Sequence, residues 1–477
     1  MRRRRARTPL ALAVALTVLG VGPAVAAPPT SAPPASASAP AVTLGTPVFS
    51  LRRVPGVLSG FAADTHLGTD LDALMTDPAL AGGRDHACLA VAENGGTVTH
   101  YARLPGMKLI PASTMKLLTT TAALAQLGPD TTFTTEIRAG APPADGAVGD
   151  LFMVGGGDPL LSTADFALDG GYLGQPRRST SMEALADKVV ATGVRRIGRI
   201  LGDESRYDTA RQIPSWAPSY LTEFEITPLS ALVVNKAFTA ERPPAVAASP
   251  PAHAASVLAG LLRARGVTVG STSAAKAPAG APLLTSIQSA PLRDVVGEIL
   301  QNSDNMGAEM LVKELGAKPG VPGTTAAGLA VVAAQLQQVA GIGAGDVSSV
   351  DGSGLDRSDR LSCDVLQKVL VQAGDAGPLG QGLPVAGQNG TLYKRFLGPT
   401  AGKVRAKTGS LDGVSALSGF ETARDGRTLT FSLIANELPN TSTGGALEDK
   451  VVSVLAGYPR GPATDELAPR PVGPPSG

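Results

Sequence analysis

The sequence predicts a fold of the α/β (α+β) class, and three observations carry that expectation. A hairpin pattern lies near the start of the folded region, three further strand patterns lie near the end, and a helix-rich stretch separates them. In the middle, from Thr132 to Ser286, short strands separated by Gly/Pro turns read as an inserted, β-rich region. At 477 residues the chain is too long for one ordinary core, so two or three domains are expected. With 43% hydrophobic but only 4% aromatic residues, those cores must be built from Ala, Val and Leu.

Residues 1–26 read as a signal peptide: Arg2 to Arg5 and Arg7 are basic, Leu10 to Val21 are apolar, and Ala24-Val25-Ala26 is a small-residue cleavage site. The apolar run is shorter than the roughly 20 residues that span a bilayer. The mature chain is therefore expected to begin at Ala27, after cleavage near Ala26, secreted and without a membrane anchor. Residues 27–47 form a Pro/Ala/Ser-rich linker unable to bury enough apolar surface to fold. Residues 460–477 are expected to be a disordered, Pro-rich tail. A net charge of +1 supplies no field that would recruit nucleic acid. Cys88 and Cys363 form either a structural disulfide or two separately buried thiols.

Leu71, Leu74 and Met75 suggest a short helix between Thr69 and Ala81. Ala87 to Ala92 and Thr97 to Ala102 read as a hairpin turning at Asn94-Gly95-Gly96. A helix opens after Pro111 and runs through Met115, Leu118 and Ala122 until Gly128 stops it. In the middle, strands are expected at Thr132 to Ile137, Leu151 to Val154 and Ile197 to Gly202, with helices at Met182 to Ala191 and His253 to Arg265. Helical patterns then cover Leu292 to Leu300, Asn305 to Leu315, Ala326 to Val339 and Cys363 to Ala373. Strands return at Lys403 to Thr408, Val414 to Glu421 and Thr428 to Ile434, followed by a helix from Gly445 to Ala456.

The chemistry lies in short motifs. Ser113-Thr114-Met115-Lys116 places a hydroxyl and an ammonium three residues apart on one helix, where they share a face. A serine hydroxyl is a weak nucleophile without a base, and a lysine with a lowered pKa can be that base. The spacing alone is weak evidence, since Ser273-Ala274-Ala275-Lys276 repeats it; that copy is read as an accident in a Ser/Ala/Pro/Gly loop. Ser303-Asp304-Asn305 lies between two helical stretches, where its residues would otherwise serve as a helix cap. Lys407-Thr408-Gly409 ends a strand pattern, with Ser410 next. His66, His86, His100 and His253 lack the spacing of a Ser-His-Asp hydrolase or a metal site, so no metal or cofactor is expected.

The order and context of the three motifs resemble those of penicillin-binding proteins and serine β-lactamases. Within that superfamily the chain is similar to the D-alanyl-D-alanine carboxypeptidase/endopeptidase family, the low-molecular-mass class C or type-4 penicillin-binding proteins. Further landmarks of that family are Gly155 to Ser162, Gly202 to Ser205, Thr227 to Ala231, Asp351 to Leu355 and Gly387 to Leu392. The resemblance covers Ala87 to about Leu455.

It implies a transpeptidase-type domain with a central antiparallel sheet and a helical region, split as 48–136 and 287–459. One inserted β-rich domain, 137–286, stands where well-known members carry two. It implies that Ser113 forms an acyl-enzyme, Lys116 takes its proton, Ser303 relays protons, and Asn305 positions Lys116 and the substrate amide. Lys407 and Thr408 would meet the substrate's terminal carboxylate, Lys407 would also depress the pKa of Lys116, and the N–H groups of Ser113 and Ser410 would form an oxyanion hole beside Gly409. The implied substrates are peptidoglycan stem peptides ending in D-Ala-D-Ala, with β-lactam antibiotics as covalent inhibitors, at the cell wall. A β-lactamase or esterase, or a catalytically silent penicillin-binding wall module, are the alternative readings.

Overall fold

Strand Ala87–Glu93 is buried along nearly its whole length, and Val414–Thr422 and Thr428–Ala435 are almost as fully buried. Such runs of Ala, Val, Leu, Phe and Ser suit a sheet covered on both faces. A computed structural model describes residues 46–47, 49–95, 98–168, 177–241 and 244–470; the signal peptide and nearly all of the expected linker lie outside them. Leu51–Ala468 form one compact unit.

Its first sheet has five strands in the order Val404–Leu411, Val414–Thr422, Thr428–Ala435, Ala87–Glu93, Thr99–Arg103. Every pairing is antiparallel. The N-terminal hairpin thus docks on the last strand of the C-terminal meander, with Cys88 opposite Ile434. Alternate side chains enter two cores. Cys88, Ala90, Ala416, Phe420 and Ile434 pack with helices Met115–Leu127, Leu292–Asn302 and Cys363–Ala373 on one face. Leu89, Val91, Leu417, Phe431 and Leu433 pack with helices Pro55–Met75 and Thr441–Ala456 on the other. Cys88 and Cys363 are disulfide-bonded, tying the hairpin to the start of a helix.

Helix Pro55–Met75 is far longer than the short helix expected near Leu71. Its buried residues, Ala63, Leu67, Leu71 and Met75, recur every four positions and make only a narrow stripe, too faint to announce a long helix. The chain end also differs from the disordered tail expected from residue 460. Ser59 Oγ donates to the Pro462 carbonyl at 2.8 Å and Arg52 to that of Glu466 at 3.2 Å, so the segment up to Ala468 lies along this helix.

The second sheet runs Thr268–Ala274, Arg196–Asp203, Ala147–Val154, Thr134–Ala139, Leu283–Gln288. It is mixed: the first two pairings are parallel and the last two antiparallel. Helices Met182–Ala191 and Pro250–Arg263 cover it through Leu185, Val189, Leu258 and Leu262. The loop expected around Ser273 is in fact an edge strand, Thr268–Ala274, whose one fully buried side chain, Val269, gives no apolar alternation to read. Between these elements, Tyr207, Ile213, Trp216, Ile226 and Leu229 leave the second sheet and pack with Met306, Met310 and Leu355. Part of the insertion therefore packs onto helix Asn305–Gly316 in a small core of its own.

Candidate active site

Ser113 stands in a 3₁₀ turn, Ala112–Thr114, that leads directly into helix Met115–Leu127. The turn is tight: Ala112 has φ +47°, a left-handed conformation that non-glycine residues avoid unless their surroundings impose it. Thr114 Oγ1 closes it by donating to the Pro111 carbonyl at 2.7 Å. One helical turn on, Lys116 is fully buried. Its Nζ lies 2.8 Å from Ser113 Oγ, 2.6 Å from Asn305 Oδ1 and 2.7 Å from the Ser353 carbonyl. The rival pair has no such geometry, since Ser273 and Lys276 are both exposed and Ser273 lies on a strand, where residues three apart face opposite sides.

Ser303 ends helix Leu292–Asn302 with φ +54° and ψ 40°, and Asn305 opens helix Asn305–Gly316. The capping role that Ser303-Asp304-Asn305 would otherwise have is not taken up: Asp304 occupies the N-cap position without a side-chain cap bond and pairs with Lys236 at 2.9 Å. Asn305 Nδ2 donates to the Glu225 carbonyl at 2.7 Å, which turns Oδ1 towards Lys116. Lys407, on strand Val404–Leu411, donates to Ser303 Oγ at 2.9 Å and to the Thr408 carbonyl at 2.7 Å. Thr408 Oγ1 donates to Thr391 Oγ1 at 3.1 Å.

Gly409 lets this strand meet the serine turn. A Cβ there would stand 2.8 Å from the Pro111 carbonyl and 3.1 Å from the Ser113 nitrogen. Gly354, at φ +81°, does the same from the other side, where a Cβ would stand 1.9 Å from the Ala112 carbonyl. The Ser113 turn is thus gripped between two backbones.

These residues border a cleft of about 800 Å³. Ser113, Ser303, Asn305, Thr408 and Ser410 line it, together with Thr391, Tyr220 and Leu355. Lys116, Lys407 and Gly409 are not among its lining residues. Lys407, expected beside a substrate carboxylate, is wholly buried and meets the cleft through two of its lining residues, Ser303 and Thr408; the hydroxyl residues Thr408, Thr391 and Ser410 and the cationic residues Arg357, Arg177 and Lys236 all line the cleft.

Burial pushes Lys116 down to about 8, against the opposing pull of the Asp351, Glu309, Asp304 and Glu225 carboxylates. Lys407 is held well below the ordinary lysine range, first by burial and then by repulsion from Lys116. The repulsion between the two ammonium groups is mutual, so each disfavours a proton on the other. A lysine near 8 has a usable fraction of free amine at neutral pH, so this site can take a proton from Ser113.

Four participants carry no role in the sequence reading. The Ser353 carbonyl, Glu309, Thr391 and the Glu225 carbonyl all support the expected residues. Ser353 and Thr391 lie inside landmark stretches that lacked assigned roles. Glu309 carried a readable signal, because it falls four residues after Asn305 on the same helix face. A backbone carbonyl such as that of Glu225 leaves no trace in side-chain identity. Two other landmarks hold loops in place: Asp203 accepts from Ser205 N and Ala277 N, and Asp158 accepts from Leu160 N.

Among the described residues no group of three or more His, Cys, Asp or Glu could hold a metal ion, and no helix is long and apolar enough to cross a membrane.

A model of the D-Ala-D-Ala carboxypeptidase 3 (S13) family matches residues 67–244 and 237–458. The chain is 33% identical to a D-alanyl-D-alanine carboxypeptidase of Actinomadura sp. (strain R39), over 83% of this chain and 85% of that one. It is 34% identical to Carboxypeptidase DacB of Mycolicibacterium smegmatis, over 82% of this chain and 83% of the relative. Among solved structures, penicillin binding protein 4 (dacB) from Haemophilus influenzae superposes with a TM-score of 0.66 at 21% identity, covering 78% of this chain and 96% of that chain.

Proposed function

The chain belongs to the D-Ala-D-Ala carboxypeptidase 3 (S13) family of peptidases, and on that premise we propose that it is a serine-type D-Ala-D-Ala carboxypeptidase acting on peptidoglycan stem peptides through an acyl-enzyme at Ser113. The observation that carries this reading is the single position of Lys116 Nζ, within hydrogen-bond reach of both Ser113 Oγ and Asn305 Oδ1.

Ser113 Oγ attacks the carbonyl carbon of the scissile amide while its proton passes to neutral Lys116. The carbonyl oxygen gains charge and is held by backbone N–H groups of Ser113 and Ser410; such donors are worth about 3 kcal/mol each. As the C–N bond breaks, the proton that Lys116 took passes by way of Ser303 to the leaving nitrogen, with Lys407 holding Ser303 Oγ in place. Water then attacks the ester, returns a proton to Ser113 Oγ and releases the shortened peptide. Thr408, with Thr391 behind it, binds the terminal carboxylate. No step draws on a metal or an organic cofactor. A β-lactam follows the same first step and remains attached, which makes it a covalent inhibitor.

The domain reading supported best is a penicillin-binding part from 48–136 and 287–459 interrupted by 137–286. Export with cleavage near Ala26 is supported by the Cys88–Cys363 disulfide, a bond that persists in oxidising compartments.

Intact-protein mass spectrometry after exposure to benzylpenicillin tests the reading. The wild type should gain one penicilloyl adduct and Ser113→Ala none. An unmodified wild type, or an adduct that survives the substitution, refutes it. Faster turnover of penicillin than of a D-Ala-D-Ala peptide would reassign the enzyme as a β-lactamase.

A further inference from the structure

The lysine of the site has three polar neighbours, and two of them can only accept. The Ser353 oxygen is a carbonyl, and Asn305 presents Oδ1 because its Nδ2 is committed to the Glu225 carbonyl. A neutral amine has two N–H donors and one lone pair. If both donors go to these acceptors, the lone pair is left facing the third neighbour, Ser113 Oγ. The Ser353 carbonyl therefore matters as much as Asn305 in aiming the base.

What holds that carbonyl is a buried carboxylate. Glu309 is wholly buried, and its Oε1 accepts from Gly352 N at 2.9 Å and from Ser353 N at 2.7 Å. Asp351 completes the support: Oδ1 accepts from Ser353 N and Gly354 N, and Oδ2 from Asp356 N and the Trp216 indole. Asp351 is thereby saturated with donors, whereas Glu309 Oε2 has no hydrogen-bond partner among the described residues. Glu309 spends one oxygen on the loop and does not line the cleft.

We infer that Glu309 is a positioning residue for the general base. By fixing the Gly352-Ser353 backbone it sets the Ser353 carbonyl that, with Asn305, turns the lone pair of Lys116 onto the Ser113 hydroxyl. The inference rests on the acyl-enzyme reading above. The charged groups facing Lys116 are Asp351, Glu309, Asp304, Glu225 and Lys407. Those facing Glu309 are Asp351, on the opposite loop, and Lys116; Asp359 lies against Asp351. Burial and the neighbouring Asp351 push Glu309 up to about 8, into the range where Lys116 titrates. The two groups titrate as a pair, and the form in which Glu309 is ionised holds the proton on Lys116, so Glu309 also helps set the pH at which the base becomes available.

Two substitutions separate aiming from folding, each read as the rate of acylation by a chromogenic β-lactam from pH 5 to 10. Glu309→Gln keeps an acceptor oxygen for the two N–H groups and loses the charge. It should acylate within about tenfold of wild type, with its acid limb moved to lower pH because the ammonium has lost a stabilising carboxylate. Glu309→Leu fills the space without an acceptor. It should slow acylation by about a hundredfold, the effect of an ångström-scale misplacement, while non-covalent β-lactam affinity changes little. Near-UV circular dichroism identifies folded variants, and E309Q carries the test if E309L does not fold. Wild-type acylation in folded E309L, an E309Q as slow as E309L, or an unmoved acid limb in E309Q overturns the inference. A wild type that forms no adduct would instead overturn the functional reading.

Discussion

Lys116 is the residue on which the proposed chemistry turns, and its burial has a measurable consequence. With the amine pushed down to about 8, acylation should fall as pH drops through that value, because protonated Lys116 cannot accept the serine proton. A profile of β-lactam acylation rate against pH should show this acid limb; a rate flat down to pH 5 would mean that another group takes the proton. Lys116→Ala should lose acylation by several powers of ten, a loss to be read in protein whose near-UV circular dichroism shows that it is folded. At this scale the motif residues were legible as types and spacings. Their partners were less so: the sequence set Ser113 and Lys116 apart from Ser273 and Lys276 by context, but did not disclose the Ser353 carbonyl that, with Asn305, fixes the lysine.

Between elements, the decisive contact is strand Val404–Leu411 against the turn Ala112–Thr114. A methyl group at Gly409 would sit 2.8 Å from the Pro111 carbonyl, so Gly409→Ala should push the strand away from Ser113 and slow acylation by about tenfold to a hundredfold. Its melting temperature should move much less than its activity; an unaffected acylation rate would show that the strand accommodates the methyl elsewhere. The disulfide acts on the opposite balance. Replacing Cys88 and Cys363 by Ser should lower stability by about 2–4 kcal/mol in urea unfolding while leaving acylation at 25 °C nearly intact, because the bond joins sheet and helix away from the cleft. Elements were legible where their pattern was strong. Helix Cys363–Ala373 was expected with these bounds, and strand Val414–Thr422 to within one residue. Helix Pro55–Met75 and strand Thr268–Ala274 were not, since each buries too few side chains to leave a period.

Across the whole molecule, buried acids set how stability responds to pH. Glu421 lies inside the first sheet with neither carboxylate oxygen hydrogen-bonded among the described residues, and burial pushes it up to about 9 from 4.5. Asp359 is pushed up to about 10 from 3.8, by burial and by Asp351. In the folded state such groups keep their protons while the unfolded chain releases them. Stability from these groups is therefore complete below the ordinary carboxyl values and declines as pH rises towards the folded ones. Lys116 acts only above about 8, where its folded and unfolded forms differ in charge. Between about pH 5 and pH 8 the melting temperature should therefore fall, each such acid contributing up to about 1.4 kcal/mol per pH unit. Glu421→Gln should flatten that slope, and a slope identical to wild type would show that Glu421 is ionised in the fold.

Read alone, the sequence determined the fold class and most of the helices and strands, and it singled out the eight residues from Ser113 to Ser410 around which the proposed site is drawn. The elements follow from local rules, since periodicity selects helix or strand and Gly and Pro break them, whereas the eight residues follow from the order and context of three motifs and the family resemblance those motifs carry. Tertiary structure alone decided what joins the pieces. It paired the N-terminal hairpin with the C-terminal meander and bonded Cys88 to Cys363. It also drew Tyr207 to Leu229 out of the insertion onto helix Asn305–Gly316, and turned the carbonyls of Ser353 and Glu225 towards the site. The reason is physical: such contacts are made by backbone groups and buried carboxylates whose partners lie far away in the chain, and a carbonyl is the same in every residue.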